Sequence, residues 1–255
     1  AYRELKATLA EHQASAGTMV ILDVATGEIL AMANAPSYNP NLRGSGDAGA
    51  RRNRAVTDVF EPGSVIKAFT VAAGIESGKF GPDTLIDTSP GWMPVANHVV
   101  RDVHNYGVVD LTRLLTKSSN IASVRIALAL DNDHLYDIFN RFGFGHATGC
   151  GFPGESAGVL PAARGWGTLE KATLSYGYGL SVTPLQMAVA YAALANGGRL
   201  RPPTFVAGQQ AQDAAVLDPQ IAANVLRMLE TVIQPGGTGT RAAVPNYSVA
   251  GKTGT

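Results

Sequence analysis

The sequence predicts an α/β fold, a sheet domain interrupted by a largely helical insertion. Three observations carry this. Two apolar runs, Met19-Val20-Ile21-Leu22 and Ile29-Leu30-Ala31-Met32-Ala33, flank Ala25-Thr26-Gly27-Glu28, and apolar runs on either side of a turn signal form a β-hairpin. A further strand is expected at the far end, Val249 to Thr255. Between them, from about residue 64 to 195, the spacing of apolar residues is mostly helical. The 255 residues are 45% hydrophobic and 16% charged, a composition that builds a sizeable core and not a disordered tail.

The elements follow in order. Residues 2–14 read as a short polar helix. In the first strand the apolar residues are consecutive, which predicts burial on both faces. Residues 36–50, rich in Pro, Asn and Gly, read as an exposed loop. A helix opens at Ser64 and runs to about residue 78. Residues 81–110 are turn-rich with short extended pieces. Two helices, 111–117 and 120–130, break at Ser118-Ser119-Asn120, and another covers 133–142. Residues 143–165 carry many Gly and Pro and read as loop. Thr183-Pro184-Leu185-Gln186 is a strong helix start: Thr caps, Pro takes the first position and Gln closes a capping box. That helix ends at Asn196-Gly197-Gly198. Short extended pieces occupy 199–217, and Asp218-Pro219 opens a last helix to about Ile233.

Charge and composition exclude several functions. Lys plus Arg and Asp plus Glu are each 20, so the chain lacks the basic excess of a nucleic-acid binder. The single cysteine, Cys150, excludes an intrachain disulfide and a cysteine-rich metal site, and it reads as a small buried hydrophobe. No apolar run reaches the ~18 residues of a membrane-spanning helix. Gly251-Lys252-Thr253 is no phosphate loop, because Asn246 stands where that motif needs Gly. Gly143-Phe144-Gly145 and Gly177-Tyr178-Gly179 lack the third Gly of a dinucleotide fingerprint. The five histidines (His12, His98, His104, His134, His146) show no metal spacing. Arg51-Arg52-Asn53-Arg54 is too short for a nucleic-acid patch.

Three fragments carry chemistry. In Pro62-Gly63-Ser64-Val65-Ile66-Lys67, Ser64 begins a helix and Lys67 lies one turn along the same face. A serine hydroxyl is a weak nucleophile and needs a base. Lysine serves only when neutral, and moving its pKa from about 10.4 to about 7 costs roughly 4.6 kcal/mol. Burial and a second nearby cation supply that shift. In Ser118-Ser119-Asn120 a hydroxyl and a carboxamide share one turn, suited to passing a proton and holding an amide. In Lys252-Thr253-Gly254-Thr255 the lysine is the second cation and a carboxylate binder, and Gly254 admits a substrate backbone. The backbone N–H groups of Ser64 and Thr255 are the expected oxyanion hole, each donor typically worth about 2.7–4 kcal/mol. Taken singly, each fragment reads as a cap or a surface charge. In order, separated by 54 and 134 residues, they form a known catalytic set.

The triple resembles that of the penicillin-recognising serine transferases, the penicillin-binding proteins and serine β-lactamases. Neighbouring phrases narrow the resemblance to class B penicillin-binding proteins. They are Asp23 to Ala33, Pro36-Ser37-Tyr38-Asn39-Pro40, Arg52-Asn53-Arg54-Ala55, Phe60-Glu61-Pro62-Gly63-Ser64, Lys117-Ser118-Ser119-Asn120, Tyr176-Gly177-Tyr178-Gly179-Leu180 and Thr183-Pro184-Leu185-Gln186. The chain is most similar to the division-specific members, of the penicillin-binding protein 3 type, in Gram-negative bacteria.

The resemblance implies a penicillin-binding transpeptidase fold, α+β, with an antiparallel sheet flanked by helices and a mostly helical subdomain. The whole chain is then one transpeptidase domain, with 1–60 and 235–255 in the sheet part and about 64–195 in the helical part. It implies a D,D-transpeptidase of septal cell-wall synthesis, without metal or cofactor. Ser64 attacks the penultimate D-Ala carbonyl of a peptidoglycan stem peptide, with Lys67 as base. Ser118 relays a proton to the leaving amine, and Asn120 orients Lys67 and the substrate amide. Lys252 and Thr253 hold the donor region or a β-lactam carboxylate. Ser119, Gly254, Thr255 and Tyr178 are expected to face substrate or β-lactam. β-Lactam antibiotics trap Ser64. Implied partners are divisome proteins, including a membrane glycan polymerase, at the periplasmic face of the inner membrane. Members of the family also carry an N-terminal anchor and module, and two strands and a helix beyond the third fragment, so the chain is expected to be a piece of a longer protein. A serine β-lactamase or a β-lactam sensor is the alternative. The extra Glu-x-x-Leu-Asn pattern of class A β-lactamases is matched at neither Glu155 nor Glu170.

Overall fold

The computed structural model describes residues 1–41, 48–209 and 211–254. Residues 42–47 of the expected loop, and Thr255, lie outside the described residues. Helix α1 (Tyr2–Glu11) leads into the antiparallel hairpin β1 (Gly17–Leu22) and β2 (Ile29–Ala35). The Asp23 carboxylate accepts from the Thr26 N–H and hydroxyl and so shapes the turn. A one-turn helix, α2 (Arg54–Thr57), follows. A 3-10 turn, Gly63–Ile66, runs directly into α3 (Lys67–Glu76).

The turn-rich stretch contains β3 (Ile86–Asp87), β4 (Trp92–Val95), β5 (His98–Arg101) and β6 (Val108–Val109). These pair antiparallel as β3 with β6 and β4 with β5. Then come α4 (Leu111–Lys117), α5 (Asn120–Ala129), α6 (Asn132–Arg141), α7 (Thr168–Leu174) and α8 (Pro184–Ala195). The short pair β7 (Arg199–Leu200) and β8 (Ala214–Ala215) precedes α9 (Pro219–Ile233).

Helix α3 is the hub of the core. All residues from Lys67 to Gly74 are buried, as expected of a helix that is apolar around its whole circumference. It packs on α4, α5, α6 and α9. Phe69 meets the edges of Phe142, Phe144 and Tyr191 at centroid distances of 4.8, 5.1 and 5.4 Å, within the favourable range for aromatic pairs. Gly74 admits α5, since a Cβ there would lie 2.9 Å from the Ile126 Cγ2. Helix α8 lies across β1 and also packs on α9, tying the hairpin to the helical part.

Two expectations for the sheet are corrected. β1 is half-buried along its length, and Ile21 is exposed. Helix α8 packs on one face of the hairpin, at Val20 and Leu22, and α1 on the other, at Met19, Ala33 and Ala35, but neither short helix covers its face completely. Residues 249–254 form no strand. A strand needs a ladder, and among the described residues this segment makes one backbone hydrogen bond, from Gly251 N–H to Leu229 C=O. A cavity of about 700 Å³, lined by β1, α8 and Gly251-Lys252, separates it from the β1 edge. Helices α2 and α7 carry no periodic signal in the sequence. Both are short, and glycines flank α7 on either side at Gly165, Gly167 and Gly177.

The capping box of α8 extends beyond its helix. Thr183 Oγ1 accepts from Gln186 N–H, and Gln186 Oε1 accepts from Thr183 N–H. The buried Gln186 Nε2 also donates to the His146 and Ala157 carbonyls at 2.6 and 2.7 Å. Gln186 therefore pins the 143–158 loop. Gln186→Ala is expected to destabilise by about 3 kcal/mol, above the ~1 kcal/mol of a cap alone, because buried carbonyls lose their donors. Urea denaturation of the two proteins measures this difference.

Candidate active site

Ser64 sits half-buried in the 3-10 turn at the head of α3. The turn is set by a glycine pair. Gly63 (φ +55) donates its N–H to the Gly177 carbonyl at 3.0 Å, and a Cβ on Gly177 (φ +96) would lie 2.0 Å from the Gly63 oxygen. No other residue type allows that approach. Four further bonds hold the turn. Phe60 and Val182 exchange backbone hydrogen bonds, Gly179 N–H donates to Glu61 Oε1, and the hydroxyl of the half-buried Tyr191 donates to the Val65 carbonyl.

Lys67 is fully buried. Its Nζ donates to the Ser118 carbonyl at 2.6 Å, to Asn120 Oδ1 at 2.6 Å and to Ser118 Oγ at 3.2 Å. As an ammonium Lys67 can donate to all three oxygens; as a neutral amine it donates to two and can accept from the Ser118 hydroxyl. Burial drives the Lys67 pKa well below that of an ordinary lysine, the Lys252 charge adds to the shift, and Asp102 opposes it. No hydrogen bond joins Lys67 to Ser64 among the described residues, so the direct contact expected from the i, i+3 spacing is not made in this state. Bonds of this kind commonly tighten only when substrate is bound.

Ser118 closes α4 in the left-handed region, φ +58 and ψ +43. That conformation is uncommon for a non-glycine residue and concentrates at functional sites. It aims the Ser118 hydroxyl between two amines, 3.2 Å from Lys67 Nζ and 2.9 Å from Lys252 Nζ. Lys252 also donates to the Thr253 carbonyl and hydroxyl. Burial lowers the Lys252 pKa to about 8. Thr253 Oγ1 lies 2.7 Å from Thr238 Oγ1. Gly254 rests against the Ser64 turn, where a Cβ would touch Val65 Cγ1 at 3.5 Å.

The structure thus brings Lys67, Ser118, Asn120 and Lys252 into one hydrogen-bonded cluster, with Ser64 and Gly254 beside it. Ser119 does not join them. Its hydroxyl is fully buried, caps α5 by accepting from Ala122 N–H, and donates to Asp102. The expected substrate contact at Ser119 is corrected on that ground: the helix cap turns it inward. Tyr178 is 42% exposed while Tyr176 is buried, so of the two tyrosines Tyr178 is the accessible one. Thr255, with its expected oxyanion N–H, lies outside the described residues. Cys150 is half-buried and desolvation raises its thiol pKa, which suits a packing residue.

Sequence reasoning missed Asp102, Thr238 and Tyr191. None shares a spacing with the three fragments, and each arrives from a different element. The Gly177-Tyr178-Gly179 phrase was visible, but its contact with Gly63 was not.

A buried lysine, a hydroxyl bridging two amines and a serine at a helix head are the kinds of group a serine acyl-transfer site needs. Residues 17–255 match the family model of the penicillin binding protein transpeptidase domain. The chain belongs to that family. It is 42% identical over its whole length to the peptidoglycan D,D-transpeptidase FtsI of Escherichia coli, covering 43% of that protein. It is equally 42% identical to the probable peptidoglycan D,D-transpeptidase PenA of Neisseria meningitidis, covering 44% of it. The chain therefore spans less than half the length of these curated relatives. Among solved structures, the transpeptidase domain of Burkholderia pseudomallei penicillin-binding protein 3 superposes with a TM-score of 0.89 at 38% identity, over 99% of this chain and 72% of that one. A peptidoglycan glycosyltransferase from Burkholderia ambifaria gives 0.90 at 39% identity, over 99% and 77%.

The strain at Ser118 is measurable. Ser118→Gly and Ser118→Ala both remove the hydroxyl, but only alanine keeps the penalty of a left-handed backbone. The glycine protein is expected to be more stable than the alanine protein by about 1 kcal/mol. Equal unfolding midpoints would show that the backbone relaxes at this position.

Proposed function

We propose that this chain is the catalytic part of a peptidoglycan D,D-transpeptidase that crosslinks stem peptides through a serine acyl-enzyme and is inhibited covalently by β-lactams. The observation that carries the reading is the Ser118 hydroxyl bridging Lys67 and Lys252, with Lys67 one turn along the chain from Ser64. One base, one relay and one cation are what acylation and leaving-group protonation require.

In the proposed reaction Ser64 Oγ attacks the penultimate D-Ala carbonyl. Its proton passes to the neutral Lys67 amine, whose proton affinity burial and the Lys252 charge lower well below that of an ordinary lysine. The oxyanion is stabilised by backbone N–H groups at Ser64 and Thr255. The C–N bond breaks as a proton reaches the departing D-Ala amine by way of Ser118. The amine of a second stem peptide then attacks the acyl-enzyme, and Ser64 regains its proton. Asn120 holds Lys67 and the substrate amide, Lys252 and Thr253 bind the donor carboxylate, and Gly254 and Tyr178 line its path. All described parts of the chain act as one domain in this reading. The parent works in septal wall synthesis at the periplasmic face of the inner membrane, with divisome proteins including a glycan polymerase as partners. The family membership and the names of the curated relatives support this.

Intact-mass spectrometry with benzylpenicillin tests the reading. A stable adduct on Ser64 is expected, absent in Ser64→Ala. Labelling of that variant at the wild-type rate would overturn it, and rapid loss of the adduct with drug hydrolysis would indicate a β-lactamase.

The acylation rate is expected to follow a bell in pH. On the acid side it falls as Lys67 gains a proton. On the basic side it falls as pH rises through about 8 and Lys252 loses its charge. Lys252→Arg stays charged throughout, so its basic limb should vanish. A rate profile from pH 5 to 10 for both proteins checks this.

A further inference from the structure

Asp102 lies where β5 ends and makes no hydrogen bond to Ser64 among the described residues. Its carboxylate grips the second fragment at two points and the next residue, Ile121, at a third. Oδ2 accepts the Ser119 hydroxyl at 2.6 Å, and Oδ1 accepts the backbone N–H groups of Asn120 at 2.5 Å and Ile121 at 3.1 Å. Arg101, the preceding residue, adds a fourth contact, because its carbonyl accepts from Asn120 Nδ2 at 2.9 Å. That bond fixes which end of the Asn120 amide faces Lys67, and Asn120 Oδ1 accepts from Lys67 Nζ. The exit of β5 thus reaches the base through a single intervening side chain.

The arrangement combines geometry with charge. The first N–H groups of α5 have no partner within the helix, and a negative charge there is favoured by the helix dipole. The charged groups acting on Lys67 are Lys252, from the 249–254 segment, and Asp102; the first lowers its proton affinity and the second raises it. Tyr106 also faces Asp102, which raises the phenol's pKa together with burial.

We propose that Asp102 is a positioning residue for acyl transfer: it clamps the Ser118-Ser119-Asn120 turn that holds the Lys67 amine, and its negative charge acts on that amine across the turn. The proposal rests on the acyl-transfer reading above. Without the carboxylate, Lys67 would surrender its proton more easily but would be held less well. The two consequences have opposite signs in a rate profile. The plateau falls, while the acid limb moves to lower pH.

The test is the pH profile of penicillin acylation for the wild type, Asp102→Asn and Asp102→Glu. Asparagine keeps an acceptor for the backbone N–H groups and removes the charge. Its plateau rate is expected to fall roughly tenfold, the size of one lost charge-assisted bond, and its acid midpoint to drop by about half a unit or more. Glutamate keeps the charge with altered reach, so its plateau should fall while the midpoint stays. If Asp102→Asn does not fold, the glutamate protein carries the test, and a midpoint that moves with the charge retained overturns the proposal. An unmoved midpoint in a folded Asp102→Asn protein also overturns it, leaving a purely structural cap. Failure of the wild type to be labelled at all would count against the acyl-transfer reading and not against this assignment alone.

Discussion

The burial of one amine governs most of what surrounds it. Lys67 begins the helix at the centre of the core, so its stem is enclosed by apolar neighbours and its head group is cut off from water. An ammonium in that position carries a desolvation penalty of several kcal/mol, and lowering the pKa is the way a lysine reduces it. The same burial requires acceptors for each remaining N–H. Ser118 and Asn120 supply them from the junction of α4 and α5, which is why that junction must sit against the head of α3. Lys252, arriving from a distant part of the chain, then places a second positive charge nearby and deepens the shift.

Holding such a cluster requires rigid supports with unusual backbone. Ser118 is kept in the left-handed region between two helices, with its own N–H bonded to the Leu115 carbonyl. Gly63 and Gly177 touch backbone to backbone, fixing the turn that presents Ser64. These positions would be poor choices for stability alone, and they surround the reacting groups. The cost is tolerated because α3 and its packing partners overdetermine the conformation.

Much of the fold was legible before any coordinates. The helix after Asp218-Pro219, the capping box at Thr183 and the break at Ser118-Ser119 are local events, each decided within a turn of chain by hydrogen bonds that specific residue types supply. The errors were non-local. Whether β1 is covered on one face or two depends on what lies over it. Whether residues 249–254 form a strand depends on a partner many residues away. Helix α7 has too few residues for a periodic signal, and tertiary contact with α5 and β4 makes it helical.

The candidate site divides in the same way. Ser64, Lys67, Ser118, Asn120 and Lys252 could be named from the sequence, since their chemistry and order are written in residue types. Their state could not. The low pKa of Lys67, the inward turn of Ser119, the Thr238–Thr253 contact and the clamp from Asp102 all arise where separate segments meet. Residue identity determined which groups can react. Tertiary packing alone decided which are dry, which are paired and which face the cleft, because desolvation and hydrogen bonding depend on neighbours that sequence distance does not reveal.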